Sequence, residues 1–183
     1  MKKTSTIIIL LSVFYIGCKI HCPEYPAELN YFPYYEGQVL RFTNSQQGTI
    51  GFTIDSKVNS KSNSFSQNCK CACGIFTHFS TSINQDSLSI KCEINISGRE
   101  NASNVSIDCF FYNKSNIQPN EECLYKFVML EKSVPYDEIY KYLEDTIIIE
   151  NENNKLVKKV VIVKGKGLVS YTTADGEEWK LVE

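Results

Sequence analysis

The chain contains little of what nucleic-acid-binding or membrane-spanning proteins need. It has no basic block, and its formal net charge is −2, so it lacks the positive surface that a phosphate backbone requires. Apart from one short N-terminal run, no apolar stretch approaches the roughly 20 residues of a spanning helix. Only two histidines and one tryptophan occur in 183 residues. We therefore expect no nucleic-acid partner and no transmembrane helix.

The apolar run near the start has the layout of an export signal. Two lysines precede a stretch from Ile7 to Ile16, and Gly17-Cys18 follows. The run is too short to cross a bilayer, whereas a positive start, a short apolar region and a small residue are typical of a cleaved signal. Ile16-Gly17-Cys18 resembles the lipobox of bacterial lipoproteins, in which the cysteine becomes the acylated N-terminus. We expect residues 1–17 to be a lipoprotein signal peptide.

Lipidation of Cys18 predicts where the mature chain resides. Several acyl chains such as palmitate on one residue hold a protein on a membrane durably, because each buried CH₂ contributes about 0.8 kcal/mol. The expected location is the cell envelope, with the lipid anchor in the outer membrane and the domain facing the periplasm or the cell surface. The alternative is a plain signal peptide, after which Cys18 ends in a disulfide.

Eight cysteines are many for a chain of this size, and they indicate an oxidising compartment. If Cys18 is lipidated, seven candidates for disulfides of unknown connectivity remain: Cys22, Cys69, Cys71, Cys73, Cys92, Cys109 and Cys123. Seven is odd, so at least one is free or paired between molecules. In an extended C-x-C-x-C element the three sulfurs share one face. Bonds from that element to the last three cysteines of the list are therefore geometrically reasonable.

A thiolate metal site or a redox module at Cys69-Lys-Cys-Ala-Cys73 is the alternative to disulfides. Structural zinc more often uses pairs of ligands two to four residues apart, and redox pairs favour C-x-x-C spacing. Only His21 and His78 are available to assist. We therefore expect disulfides, no metal and no cofactor.

Alternation of apolar and polar residues predicts β structure through most of the chain. Hairpins are expected around Asn44–Gly48, Gly98–Asn104 and Ala174–Gly176. The polar stretch Ser56–Asn68 is expected to be a long exposed loop, and Pro135–Glu144 fits either a helix or an extended segment. About nine short strands result. The expected fold class is all-β, mainly antiparallel, as a sandwich, half-barrel or barrel with at most one or two short helices.

The chain is expected to divide into three parts. Residues 1–17 are the signal peptide, 18–35 are a lipidated tether and lead-in segment, and 36–183 are a single antiparallel β domain. Prolines discourage regular structure in the second part, although residues 26–31 are compatible with one helical turn. The aromatic run of residues 31–35 is expected to be a plug on the edge of the domain rather than a ligand platform.

Besides the lipobox, three further stretches are informative. They are Cys22-Pro-Glu-Tyr-Pro with Tyr31-Phe-Pro-Tyr and Leu40-Arg-Phe-Thr-Asn, the Cys69–Cys73 element, and the closing segment Gly165–Val182. Together with the lipobox they resemble a group of uncharacterised envelope lipoproteins of the Bacteroidetes. The closing segment is the most specific of them. The resemblance implies an envelope location and a β-rich domain, and it carries no activity and no functional residues.

No catalytic set is assembled by the sequence. His78 near Cys73 lacks an orienting acid close by, so it fits an ordinary strand histidine better than a nucleophile site. Glu177 and Glu178 beside Trp179 fit a solvated hairpin edge better than a glycosidase pair.

The function expected from these observations is that of a lipid-anchored bacterial envelope lipoprotein. Its domain is expected to be a non-catalytic binding or structural β domain, with a protein, a glycan or a small apolar ligand as partner besides the membrane. Two alternatives stay open. One is an enzyme whose site is assembled from separated loops, and the other is a metal or redox module built on the Cys69-Cys71-Cys73 cluster.

Overall fold

The fold is given by a computed structural model, which describes residues 27–64, 72–82, 88–99, 102–113, 123–130 and 141–182. A 3-10 turn at Ala27–Leu29 precedes the strands. The strands are β1 Val39–Thr43, β2 Thr49–Ser64, β3 Ala72–Thr81, β4 Leu88–Arg99, β5 Ala102–Asn113, β6 Cys123–Leu130, β7 Thr146–Glu150, β8 Val157–Val163, β9 Gly167–Thr173 and β10 Glu178–Val182. The expected all-β, antiparallel fold class is confirmed.

The ten strands form one sheet that nearly closes into a barrel. Their order is β6-β5-β4-β3-β2-β1-β10-β9-β8-β7, and every pairing is antiparallel. Strands β1 to β6 form one meander and β7 to β10 another, and the pairing of β1 with β10 joins the two. The end strands β6 and β7 approach each other. The sheet therefore has an inner and an outer face.

Two of the expected hairpins are confirmed in the places that the turn residues predicted. β1 and β2 pair up to Thr43 and Thr49, and the Asn44 side chain accepts a hydrogen bond from the Gly48 amide at 2.6 Å. β9 and β10 meet through a turn in which Gly176 has a φ of 91°. The third hairpin has longer strands than predicted, because the β4–β5 pairing reaches Arg99 and Ala102.

The loop expected over Ser56–Asn68 is wrong as far as Ser64, because β2 continues to that residue. The backbone groups of this part of β2 pair with those of β3. The pairing continues as far as Ser64, which stands opposite Ala72. A register shift between Ile54 and Ser56 interrupts this pairing. Such a bulge moves the following residues to the opposite face, so the apolar alternation ends while the strand does not. The rest of this predicted loop, residues 65–68, lies outside the described residues. So do residues 135–140 of the segment Pro135–Glu144, which was predicted to be either helical or extended.

The inner face of the sheet is filled by apolar side chains from alternate positions. Along β4 these are Ile90, Cys92, Ile94 and Ile96, each 0% exposed. Fully burying one large apolar side chain contributes about 1.5–3 kcal/mol. Tyr171 lies at the centre of the aromatic part of this core, and its ring centroid is 5.2–6.4 Å from those of four other rings: Phe42, Phe52, Phe111 and Trp179.

The segment before β1 enters this core. Leu29, Tyr31, Phe32 and Tyr34 are buried, and Phe32 packs edge-on against Phe79 with 4.9 Å between ring centroids. The Tyr31 hydroxyl donates to the Glu144 carbonyl at 2.6 Å, and the Tyr34 hydroxyl accepts from the Leu168 amide at 2.6 Å. Burial, with help from nearby carboxylates, raises the pKa of Tyr31 to about 12. The expected plug therefore fills the interior of the sheet instead of lying on its edge.

Candidate functional site

The outer surface of β3 to β6 carries a row of titratable and aromatic side chains. The register places His78 opposite Glu93, Glu93 opposite Asp108, and Asp108 opposite Tyr125. Directly opposed residues have Cβ atoms about 4.5–5.5 Å apart, so four functional groups stand side by side across four strands. This row and the neighbouring side chains Phe76, Lys91, Phe110 and Tyr112 are called the ladder face below.

The aromatic side chains of the ladder face stack along the strands. The rings of Phe76 and His78 are 5.6 Å apart with an interplanar angle of 3°. Those of Phe110 and Tyr112 are 6.1 Å apart at 12°. Each pair consists of alternate residues of one strand, which point to the same face. Tyr125 adds a phenol that is 54% exposed. The sheet therefore presents aromatic surface on the side opposite to its core.

The charged side chains of the ladder face interact within the row and next to it. Lys91 Nζ lies 2.8 Å from Glu93 Oε2 and 5.5 Å from the centroid of the Phe110 ring. The hydrogen bond to Glu93 raises the pKa of Lys91. An ion pair at this degree of exposure contributes about 0–1 kcal/mol. Its main effect is to fix the positions of the two charges.

Burial changes the ionisation of two other members of the row. It raises the pKa of Asp108, and the neighbouring charge of Glu93 raises it further. It lowers the pKa of His78, and the charge of Lys91 lowers it further. His78 is therefore neutral near pH 7. Among the ladder-face side chains that the structure describes, the two carboxylates of Glu93 and Asp108 stand against one lysine, Lys91.

A polar group on the inner face has a structural explanation. Beyond the bulge, Lys57 stands opposite the buried Phe79 and donates to Asn59 Oδ1 at 2.8 Å and to the Thr77 hydroxyl. Burial lowers the pKa of Lys57 to about 8. The ammonium also lies 5.7 Å from the Phe32 ring centroid. The ammonium thus has two hydrogen-bond acceptors and an aromatic ring close to it within the protein, so this network stabilises the bulged strand and does not by itself define a site.

A cleft of about 390 Å³ lies where the β1–β2 and β9–β10 turns meet. Its lining consists of Thr43, Asn44, Ser45, Gly176, Glu177, Glu178 and Lys180. Asn44 Nδ2 donates to Glu177 Oε1 at 2.5 Å, and Lys180 pairs with Glu178 at 3.0 Å. Each carboxylate is thus held by its own neighbour. A glycosidase needs two carboxyl groups facing each other across the bond to be cleaved, and this arrangement is instead that of a hairpin edge.

The predicted cysteine sites are only partly within the described residues. The structure has Cys92 and Cys109 as buried free thiols, directly opposite each other on β4 and β5. For Cys73 and Cys123 the backbone alone is described. Outside the described residues lie Cys18, Cys22, Cys69 and Cys71. Lipidation and the disulfides therefore stay predictions.

Reasoning from the sequence placed His78 correctly in a strand but missed the ladder face. The signal was present, because the ladder positions alternate with the apolar positions that predicted β3, β4 and β5. Glu93, for example, lies between the buried Cys92 and Ile94. Alternation within a strand does not give the register between strands. That register brings these positions of β3 to β6 into one row.

The comparisons with known proteins leave the fold as the basis for classification. No protein-family model, no curated protein and no solved structure matches the chain. Within the described ranges, no three His, Cys, Asp or Glu side chains are grouped as metal ligands would be. The same ranges contain no helix of the length and apolarity needed to cross a membrane. The class that the structure defines is an all-β domain with a nearly closed antiparallel sheet.

Proposed function

We propose that this chain is a lipid-anchored bacterial envelope lipoprotein whose β domain binds a partner protein through the ladder face. One observation carries the binding role: the stacked rings Phe76/His78 and Phe110/Tyr112 lie outside the core, on the outer surface of the sheet. Aromatic side chains in such positions are enriched at protein interfaces. The role that we propose is non-catalytic contact with that partner.

The anchor part of the proposal is supported by the sequence. A short apolar run ends at Gly17-Cys18, as in the lipobox of the envelope lipoproteins that the chain resembles. Acyl chains on Cys18 hold the domain at a membrane surface.

The dimensions of the ladder face support a protein as the partner. Strands β3 to β6 are 8–12 residues long. At about 3.3 Å per residue and about 4.8 Å between strands, four such strands span a face of roughly 600 Å². This is close to the ~800 Å² that each partner contributes to a standard protein interface. A small ligand would leave most of that face uncovered.

The shape and charge of the face narrow the choice further. A small apolar ligand would need interior space, and the described inner face is filled by buried side chains. Among the side chains of this face that the structure describes, the carboxylates of Glu93 and Asp108 outnumber Lys91. We therefore expect a partner that presents aromatic or aliphatic side chains around a lysine or arginine.

Attachment of lipid at Cys18 is tested by metabolic labelling of the full chain with an alkyne fatty acid. Label is expected in the native chain and in Cys22→Ala, and it is expected to be absent from Cys18→Ala. The Cys18→Ala protein is also expected to move from the detergent phase to the aqueous phase. Equal labelling of the native chain and Cys18→Ala would exclude the anchor.

Binding through the ladder face is tested with a photoreactive phenylalanine analogue at position 125 or 142, in the cells that make the chain. Tyr125 is on the ladder face and Tyr142 is not, and their exposures of 54% and 55% are matched. A discrete crosslinked band is expected from position 125 alone. The yield is expected to fall at least about fivefold with Asp108→Asn, as expected for a lost charge contact of about 1 kcal/mol. The exposed Asp145→Asn is the control. Equal bands from both positions, or none from position 125, would contradict the proposal.

A further inference from the structure

Two thiols of the core face each other across a pair of neighbouring strands. Cys92 of β4 and Cys109 of β5 are partners in the antiparallel register, and both are 0% exposed. The two side chains are within hydrogen-bonding distance of each other. Neither sulfur is bonded in the structure.

This position satisfies the distance condition for a disulfide. Directly opposed residues of an antiparallel pair have Cα atoms about 4.5–5.5 Å apart. Disulfides span Cα separations of about 4.4–6.8 Å. A bond between Cys92 and Cys109 therefore needs rotation of two side chains and a small approach of the Cβ atoms, without a change of register.

The register also makes Cys73 and Cys123, the two other cysteines whose backbone is described, unfavourable partners for this pair. Cys73 stands opposite Gly98, which lies six residues along β4 from Cys92, or about 20 Å at ~3.3 Å per residue. Cys123 stands opposite Phe110, and Leu124 stands opposite Cys109. The position of Cys123 is therefore one residue away from the position that faces Cys109. Adjacent positions of a strand belong to opposite faces. Neither position is in the row that contains the two buried thiols.

We propose that Cys92 and Cys109 form a disulfide with each other, and that the bond forms while the chain folds. The oxidant is an external disulfide, either of a small thiol or of a dithiol oxidase. One cysteine thiolate attacks the external disulfide and releases one thiol. The second cysteine then attacks this mixed disulfide, forms the Cys92–Cys109 bond and releases the second thiol. Two protons leave the cysteines and are taken up by the two released thiolates.

The surroundings of the pair explain why the bond belongs to folding and not to the folded state. The flanking inner-face residues Ile90, Ile94 and Phe111 are 0% exposed, like the cysteines themselves. Burial also raises the pKa of the Cys109 thiol, which lowers the fraction of reactive thiolate. In the folded sheet an external oxidant or reductant therefore reaches the pair only after local opening.

The bond is tested on the full chain, reduced, unfolded and then refolded in detergent with oxidised and reduced glutathione. After alkylation of free thiols, trypsin releases Cys92 in the peptide Cys92–Arg99 and Cys109 in Glu100–Lys114, each with a single cysteine. The expected product is these two peptides linked to each other, two hydrogens lighter than their sum. Both peptides recovered in alkylated form, or either one linked to a different cysteine, would overturn the proposal.

The timing is tested by adding the same glutathione mixture after folding. Formation of the linked peptide is then expected to be at least tenfold slower than during refolding, and equal rates would overturn the assignment to folding. Cys92→Val is the control for specificity, because it removes one cysteine of the proposed pair. In this variant the peptide Glu100–Lys114 is expected to be recovered with Cys109 alkylated. None of these measurements depends on the lipid at Cys18 or on a partner protein, so their failure is separate from failure of the proposed function.

Discussion

Replacing Gly167 with alanine is expected to destabilise the fold by about 3–5 kcal/mol, from overpacking of the core together with a strained backbone. The added Cβ would overlap the hydroxyl end of the Tyr34 ring, which is buried and held by the Leu168 amide. Gly167 also has a φ of 86°, which side-chain-bearing residues rarely adopt. The measurement is the midpoint of urea unfolding at an unchanged slope.

Gly165 provides a matched control for this substitution. Its φ of 75° is similar, but an added Cβ would meet nothing within 4 Å. Gly165→Ala is therefore expected to cost only the backbone term of about 1–2 kcal/mol. In a Tyr34→Ala background the further cost of Gly167→Ala should fall to that level. A cost that stays the same in both backgrounds would show that contact with Tyr34 is not the cause.

Replacing Phe32 with alanine is expected to cost about 3–5 kcal/mol, the range for large aromatic residues in a packed core. Phe32 is 1% exposed and packs against Phe79 inside the sheet. Tyr35, three residues further on and 68% exposed, is the control. Tyr35→Ala should change the free energy of unfolding by no more than about 0.5 kcal/mol. Equal effects at the two positions would contradict the placement of the lead-in segment in the core.

Local patterns predicted much of this sheet. Alternation with period 2 marks a strand that is buried on one side, and β4 shows why it works: Ile90, Cys92, Ile94 and Ile96 are all buried. Turn residues such as Asn44 and Gly176 predicted hairpins because their backbone preferences act within a few residues. These features depend only on neighbours in the sequence, so they can be predicted without knowledge of the whole fold.

Long-range pairing was the part that local patterns did not contain. The second half of β2 is rich in serine, asparagine and lysine, which are poor strand formers, and it is a strand because β3 supplies its backbone partners. The ladder face and the Cys92–Cys109 pair depend on the same information, since each needs the register between strands. A shift of one residue would exchange the inner and outer sets.

The place of β10 between β1 and β9 has a consequence for how the sheet folds. Of the ten strands it is the one synthesised last, yet it is the piece that unites the two meanders. Until β10 is in place, β1 and β9 each have an unsatisfied edge, and such edges pair readily with other chains. The pairing of β1 with β10 joins strands that lie far apart in the sequence, and such contacts form slowly. A chaperone that covers these edges until β10 pairs with them would therefore raise the yield of folded protein.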